Sequence, residues 1–437
     1  MERAKLLQQM SAAELERHSA LSDPDPTEAL DLMSSSARLL FANGQTTEKI
    51  VQAIKRLAGG LGYRAEIFPG WGKLTIRLES DDGWHESVLN SAPVVVDIHK
   101  VIAATGVIDK VGAGSFGAAS ARSALEAVDR LSPVSLVRFA AMAGAGAAAL
   151  GVIFGAVHPL SLVLIAFSAA LGACLRRWLA GRSRNLFVQP LCAALLAGFI
   201  GSTALRFQLS STLQLVAVCP CMVLVPGPHF LNGALDLARA RIPLGLARIA
   251  YALLFTLMIC TGLVLGLALD GSSLPASGSF NPVPIAWDVL AAGVAVAAYG
   301  SFFNMPWRML PIPILVGMLA HACRWMAISL AGAIAAIGAL IACLVVGLIM
   351  TPIANHLRLP FAGVAFASVV SLIPGVYLFR LAGGMVGLAA PGLSAPQELI
   401  SQMAFDGTTA ILIILAMAFG LIAPKLCIEH FTSPTDK

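Results

Sequence analysis

The chain has 437 residues, of which 57% are apolar and 12% charged, and its mean hydropathy is +0.81. Soluble domains average nearer half apolar and about a quarter charged, so this composition excludes an ordinary soluble protein and predicts a membrane protein. The net charge of +5 does not indicate nucleic-acid binding, because the excess of Lys and Arg lies in the apolar part, residues 134–437, with 15 Lys/Arg against 7 Asp/Glu.

The first 133 residues are more polar and predict a small cytoplasmic α+β domain. Residues 1–26 read as a leader that ends in two prolines and lacks the apolar core of a secretory signal. In residues 27–133, apolar stripes predict helices from Glu28 to Phe41, from Thr46 or Thr47 to Gly59, over 98–108 and from Ser115, which would cap the last one. Between the second and third helices, runs at 63–68, 73–78 and 84–89 predict an antiparallel meander.

Beyond Pro133 the chain alternates between long apolar runs and short loops. A transmembrane helix needs about 20 mostly apolar residues, and ten such spans are expected. They lie near 134–157, 159–176, 186–206, 212–238, 243–268, 284–304, 308–328, 329–353, 360–390 and 398–424.

Two Pro-Gly breaks interrupt these spans at matching places. Pro226-Gly227 lies in the fourth span, and Pro374-Gly375 lies in the ninth, 148 residues later. An Ala-Cys-…-Arg-Trp landmark precedes each break at nearly the same distance, which indicates an internal duplication. A break inside hydrocarbon is tolerated where the backbone faces protein or water, so paired breaks point to a transport site.

Five spans in each half would place the second half upside down relative to the first. We therefore expect two inverted five-helix repeats, 134–269 and 284–425, joined by an external linker at 270–283 and followed by a cytoplasmic tail at 426–437. If residues 1–133 are cytoplasmic, ten basic residues in loops or at span ends lie on the cytoplasmic side. Three lie on the outer side: Arg206, Arg324 and Arg380. That distribution favours both termini in the cytoplasm.

Ionisable residues within spans are functional candidates, because a charge at the bilayer centre is costly. Asp236 and Asn232 follow the first break on one helix face and could line a cavity; Asp236 could equally be a helix-end acid that pairs with Arg239 or Arg241. Arg380 follows the second break and could bind a carboxylate or extend to the outer surface. Four others, Asp288, Asp406, Arg138 and Arg324, are expected at span ends.

Three further motifs favour structural interpretations. Gly112-Ala113-Gly114-Ser115-Phe116-Gly117 matches GxGxxG, but it follows a predicted helix and suits a turn between helices better than a nucleotide site. His85, Asp97 and His99 lack the spacing of a hydrolytic or metal motif, and Cys219-Pro220-Cys221 suits packing in an apolar span better than a metal site. We therefore expect no metal, no cofactor and no catalytic residues, and we expect Gly144, Gly146 and Gly151 to allow close helix packing.

Several motifs together resemble the bacterial threonine/serine exporters. They are Leu40-Phe41-Ala42-Asn43-Gly44-Gln45-Thr46 with Leu61-Gly62-Tyr63, Pro226-Gly227 with Asn232 and Asp236, and Arg358-Leu359-Pro360 before Pro374-Gly375. The resemblance covers about residues 28–425. It implies a fusion of two halves that are separate proteins, linked to succinate export, in some bacteria, and it implies export of small hydrophilic metabolites driven by the proton-motive force. The Ala42-Asn43-Gly44-Gln45 stretch departs from the small-Gly-Ala-Glu pattern more usual in the family.

The leading hypothesis is a non-enzymatic secondary transporter in the bacterial inner membrane that exports threonine or serine. Its expected partners are a small-molecule substrate, either an amino acid or a small carboxylate, and the lipid bilayer. We expect no nucleic-acid partner, and a homo-oligomer is a further possibility. The alternatives are a dicarboxylate exporter, a membrane-anchored enzyme whose first domain does the chemistry, and a passive channel. Ten spans with matched breaks favour a transporter over an anchored enzyme, because an anchor needs only one or two spans.

Overall fold

The computed structural model describes residues 24–156, 158–207, 213–269, 271, 283–389 and 397–432. The expected leader up to residue 23, most of the linker and the last five residues of the tail lie outside this part. The chain divides into two compact units. The first holds the residues up to Ser132 together with Ala240–Leu244 and Arg358–Pro360, and the second holds the rest.

The first unit contains four helices and a three-stranded sheet. They are α1 (Pro26–Ala42), α2 (Thr47–Gly60), β1 (Arg64–Gly70), β2 (Gly72–Ser80), β3 (Gly83–Ser91), α3 (Ile98–Gly112) and α4 (Ala118–Asp129). The predicted helices and the antiparallel meander, in the order β1-β2-β3, are confirmed. Successive side chains of β2 point to opposite faces of the sheet, so Leu74, Ile76 and Leu78 are buried on one face. The apolar stripe of α2 packs into the same core through Ile50 and Ile54.

The Gly112–Gly117 stretch joins α3 to α4, as predicted, but Ser115 does not cap the following helix. The N-cap residue of α4 is Gly117, and the Ser115 hydroxyl donates to the Lys110 carbonyl at 2.8 Å. Ser115 thus closes the end of α3, where carbonyls need donors, instead of opening α4. The carboxylate of Asp97 caps α3 by accepting from the Lys100 amide at 3.0 Å.

The second unit is helical in its described residues. Its helices are α5 (Leu136–Ile153), α6 (Pro159–Ala180), α7 (Val188–Arg206), α8 (Leu213–Met222), α9 (Gly227–Ala238), α10 (Ile242–Ala268), α11 (Ile285–Phe302), α12 (Pro311–Ser329), α13 (Ala335–His356), α14 (Phe361–Val369), α15 (Gly375–Ala389) and α16 (Gln397–Thr432); α10 begins in the last residues assigned to the first unit. Eight of the described helices are long and apolar enough to span a membrane, or up to ten spans if each bent pair, α8–α9 and α14–α15, is one span.

The last helix extends beyond the predicted span. It runs to Thr432, where the sequence suggested an end at 424 and a tail from 426. Lys425 is 1% exposed and forms an ion pair with Glu429 one turn later. Because an i,i+4 pair of this kind supports a helix, the charges that resemble a span end continue the helix instead.

Glycines bring the third and fifth helical spans of each half close together. In the first half a Cβ on Gly198 of α7 would overlap the Leu263 carbonyl of α10. In the second half a Cβ on Gly347 of α13 would lie 2.7 Å from the Gly420 carbonyl of α16. The expected packing of α5 is confirmed, since a Cβ on Gly146 would lie 2.6 Å from that of Ala298 on α11.

Candidate functional site

The first break lies between α8 and α9, which meet at a bend of 52°. Pro226 precedes the first turn of α9 with φ −84° and ψ 58°, outside the helical region. The Met222 carbonyl at the end of α8 accepts a hydrogen bond of 2.7 Å from the Tyr299 hydroxyl of α11. Tyr299 is 1% exposed, so a polar backbone group at the break is satisfied within the protein.

The second break lies between α14 and α15, which meet at a bend of 65°. A 3₁₀ turn, Val370–Leu372, follows α14 and leads to Pro374. The Ser371 Oγ in this turn lies 2.6 Å from the His321 Nε2 of α12. The other ring nitrogen, Nδ1, lies 2.8 Å from Asp288 Oδ2 of α11.

Each break packs against the first half of the other broken helix. Gly227 lies so close to Phe366 of α14 that a Cβ there would overlap the phenyl ring. Gly375 lies against Met222 of α8, and a Cβ there would come within 2.6 Å of Met222 Cγ. In accord with these contacts, α8 packs on α15 and α9 packs on α14. Each Pro-Gly break thus contacts the first part of the other broken helix, in a reciprocal arrangement.

Asp236 lies in the second half of the first broken helix and is 2% exposed. Its Oδ2 lies 3.0 Å from Nε of Arg248 on α10, and both side chains are buried. The sequence suggested Arg239 or Arg241 as its partner, but Arg239 pairs with Glu429 and Arg241 pairs with Glu48. Arg248 was missed because it is twelve residues from Asp236, and only the packing of consecutive helices brings them together. Asn232, one turn before Asp236, is also 2% exposed.

Arg380 occupies the corresponding part of the second broken helix and is buried, with 6% exposure. Its Nε lies 3.3 Å from Asp406 Oδ2 on α16. Asp406, which the sequence analysis expected at a span end, is 1% exposed and faces the Arg380 guanidinium inside the protein. Each half therefore has one buried ion pair between the second part of its broken helix and the next helix, with the acid and the base exchanged.

Asp288, expected at a span end, lies in the first turn of α11, is 2% exposed and takes part in the hydrogen bonds at the second break. The sequence analysis missed His321 and Ser371. The signal available was a histidine within an apolar helix, and its partners are 33 and 50 residues away. Such distances leave no spacing pattern to recognise.

The residues of the three weaker motifs have ordinary structural environments. The His85 ring bonds to the Ser80 hydroxyl at 3.0 Å within a hairpin. Cys219 and Cys221 are buried in α8. Among the described residues no group of three or more His, Cys, Asp or Glu side chains is arranged to hold a metal ion.

The sequence comparisons divide the chain where the two halves were expected to meet. Residues 31–270 match a family model described as a threonine/serine exporter, and residues 288–427 match a second one described as Threonine/Serine exporter, ThrE. Neither a curated protein nor a solved structure matched the chain. Since the first match alone includes more than half of the residues, and both matches contain candidate membrane spans, the chain is a multi-pass membrane protein of the threonine/serine exporter family that carries both family parts in one polypeptide.

Proposed function

We propose that this protein is a secondary transporter that exports threonine or serine across the bacterial inner membrane, driven by the proton-motive force. The observation that carries the proposal is the reciprocal packing of the two breaks, with Gly227 on Phe366 and Gly375 on Met222. Interrupted helices that meet in this way supply backbone groups and half-helix ends for a small polar substrate within the membrane. The family membership supports an amino acid as that substrate.

The connectivity supports a complete crossing by the first broken pair. Ala240–Leu244 and residues 24–132 belong to one compact unit, so we take them to lie on one side of the membrane. After three crossings, by α5, α6 and α7, the chain is on the opposite side of the membrane. It can return at Ala240 only if α8 and α9 together make a fourth crossing.

A similar argument supports the second broken pair. Four helices, α10 to α13, lead from Ala240–Leu244 to Arg358–Pro360, which belongs to the same unit. The end of α16 returns to that side as well, since Glu429 pairs with Arg239 at 2.5 Å. An even number of crossings must lie between Pro360 and Glu429, so α14–α15 crosses once and α16 once. This reasoning supports ten crossings, and five in each half would make the repeats inverted.

Asp236 and Arg380 are our candidates for binding a zwitterionic substrate. The carboxylate of Asp236, with Asn232 beside it, can accept hydrogen bonds from an ammonium group, and the guanidinium of Arg380 can hold a carboxylate with two parallel bonds. In the structure Asp236 pairs with Arg248, and Arg380 pairs with Asp406. We propose that substrate competes with these partners as the broken helices move, so that no charge is left unpaired at any stage.

The orientation that fits these observations has residues 24–132 and both termini in the cytoplasm. The loops grouped with the first unit, Ala240–Leu244 and Arg358–Pro360, contain Arg241 and Arg358, and Arg239 adjoins the first of them. Arginine in loops favours the cytoplasmic side. The substrate would then leave the cytoplasm through the second unit.

A counterflow assay in proteoliposomes tests the proposed function. Unlabelled threonine or serine inside the vesicles should accelerate the uptake of the labelled amino acid, because a carrier must return its site across the membrane and does so faster when loaded. A passive channel shows no such acceleration. Acceleration by succinate without any by threonine or serine would contradict the proposed substrate and favour a dicarboxylate.

Two variants test the proposed site in the same vesicles. Arg380→Lys should raise the substrate concentration for half-maximal exchange about tenfold, because an ammonium group cannot reproduce the guanidinium fork. Asp236→Asn should abolish exchange, but it also leaves Arg248 buried without its carboxylate, a loss of about 3–5 kcal/mol. Asp236→Asn with Arg248→Gln restores neutrality and is the control for stability. If this double variant folds and exchanges as the wild type does, Asp236 is not part of the site.

A further inference from the structure

Two hydrogen bonds in sequence connect the second break, through a buried histidine, to the first turn of α11. Ser371 Oγ lies 2.6 Å from His321 Nε2, and His321 Nδ1 lies 2.8 Å from Asp288 Oδ2. All three residues are at least 98% buried. They come from three separate elements: the 3₁₀ turn before Pro374, α12 and α11.

The donors and acceptors of Asp288, His321 and Ser371 define how these three side chains can carry a proton. An ionised Asp288 only accepts, so Nδ1 of a neutral His321 must bear the hydrogen, and Nε2 then accepts from the Ser371 hydroxyl. A proton that arrives at Nε2 makes the ring an imidazolium. The bond to Ser371 must then reverse, with Nε2–H as donor and Oγ as acceptor. The proton leaves by the same atom when the ring returns to its neutral form.

The surroundings of His321 contain few other charges. Arg324 lies one turn further along α12, and its electrostatic neighbours are Asp288 and Tyr377 of α15. The helices α13 and α14 also pack against α12, and they contain no Asp, Glu, Lys or Arg. The only other titratable groups in α13 are Cys343 and His356, and His356 lies at its exposed end.

We infer that Asp288, His321 and Ser371 form the proton-carrying relay of this transporter, with His321 as the residue that gains and loses the proton. The inference rests on the proposed proton-driven export and assigns its coupling site. Of the three side chains, the imidazole is the one that can take up a proton and still bond to both of its neighbours. Asp288 and Ser371 act through it as positioning residues.

The position of Ser371 explains how protonation could reach the substrate pathway. Ser371 lies in the 3₁₀ turn that precedes Pro374, and Gly375 then contacts Met222 of the first broken helix. Reversal of the hydrogen bond between Ser371 and His321 changes the interaction that anchors this turn to α12. A proton on His321 therefore alters the support of the second break, and through it the contact of Gly375 with Met222 of α8.

The same order of residues occurs in serine hydrolases, where histidine activates a serine nucleophile. Burial argues against that chemistry here. Ser371 is 2% exposed and His321 is fully buried, so an acyl substrate has no approach to the hydroxyl. Proton transfer needs no such space.

The test separates exchange from proton coupling in proteoliposomes, with whichever of threonine, serine or succinate the wild type exchanges. His321→Gln keeps a donor for Asp288 and an acceptor for Ser371 but cannot take up a proton at neutral pH. We expect it to retain exchange at zero pH gradient. Its acceleration by an imposed pH gradient should fall about tenfold relative to wild type, and the pH profile of exchange should flatten.

His356→Gln, at the exposed end of α13, is the matched control and should respond to the gradient as the wild type does. Ser371→Ala removes one end of the relay without touching the ring and should reduce the gradient response while exchange persists. The inference is overturned if His321→Gln exchanges substrate and still responds fully to the gradient. A wild type that exchanges substrate without any response to a pH gradient would overturn both the relay and the proposed energy source. Failure of exchange with amino acids but not with succinate would contradict the proposed substrate alone.

Discussion

At the scale of single residues, the contact between Gly227 and Phe366 permits a sharp test. A methyl group at position 227 would overlap the phenyl ring, so Gly227→Ala must displace either α9 or α14. Overpacking of this kind costs about 1–3 kcal/mol, and here it acts on the contact between the first break and α14. We expect Gly227→Ala to lower the exchange rate about tenfold or more. Measurement of counterflow at equal protein levels checks this.

The second-site change Phe366→Ala should restore part of the exchange in Gly227→Ala, because it removes the atoms that the new methyl group meets. Gly106→Ala is the matched control. It also places a methyl group on a helical glycine, but nothing lies within 4 Å of that position. Equal loss of exchange in both glycine variants, or no rescue by Phe366→Ala, would show that the reciprocal packing has no special role.

At the scale of elements, the two broken helices should each cross the membrane once. In a cysteine-free background, single cysteines at the exposed positions Phe207 and Ala238 flank the first broken pair, and those at Leu357 and Gln397 flank the second. A membrane-impermeant thiol reagent added to intact cells should label positions 207 and 397 but not 238 and 357. The reason is that one crossing separates the members of each pair, with Ala238 and Leu357 on the cytoplasmic side.

If a broken pair were a re-entrant loop, both of its flanking cysteines would react in the same way. That outcome for the first pair would contradict the crossing count and with it the inverted arrangement. Labelling of positions 238 and 357 in place of 207 and 397 would keep ten crossings but reverse the orientation. Permeabilised cells, in which all four positions should react, are the control for access.

At the scale of the whole molecule, we expect the first unit to support transport without catalysing a reaction. His85 bonds to Ser80 at a hairpin, and Asp97 caps α3, so both have structural partners. The variant His85→Ala with His99→Ala should therefore export threonine within about twofold of wild type, as surface substitutions usually have small effects. Efflux from cells at matched membrane levels is the measurement. Loss of export with normal insertion would revive the hypothesis of a catalytic domain.

The sequence by itself determined the membrane class, the helices, the meander and the position of both breaks. These follow from local properties: composition, apolar periodicity, and prolines and glycines that end helices wherever they occur. The same local properties placed Asp236 and Arg380 on the segments that follow the breaks. They also allowed the family to be recognised, since its motifs are short segments whose order along the chain can be read directly.

Only the tertiary structure decided which side chains meet. The partners of Asp236 and Arg380, and the chain from Asp288 through His321 to Ser371, join residues from separate helices whose packing brings them together. A buried charge must find a counter-charge, but nothing in its neighbourhood along the chain says which one. For the same reason the sequence did not predict that Asp288, in the first turn of α11, and Asp406 of α16 are buried against partners from other helices.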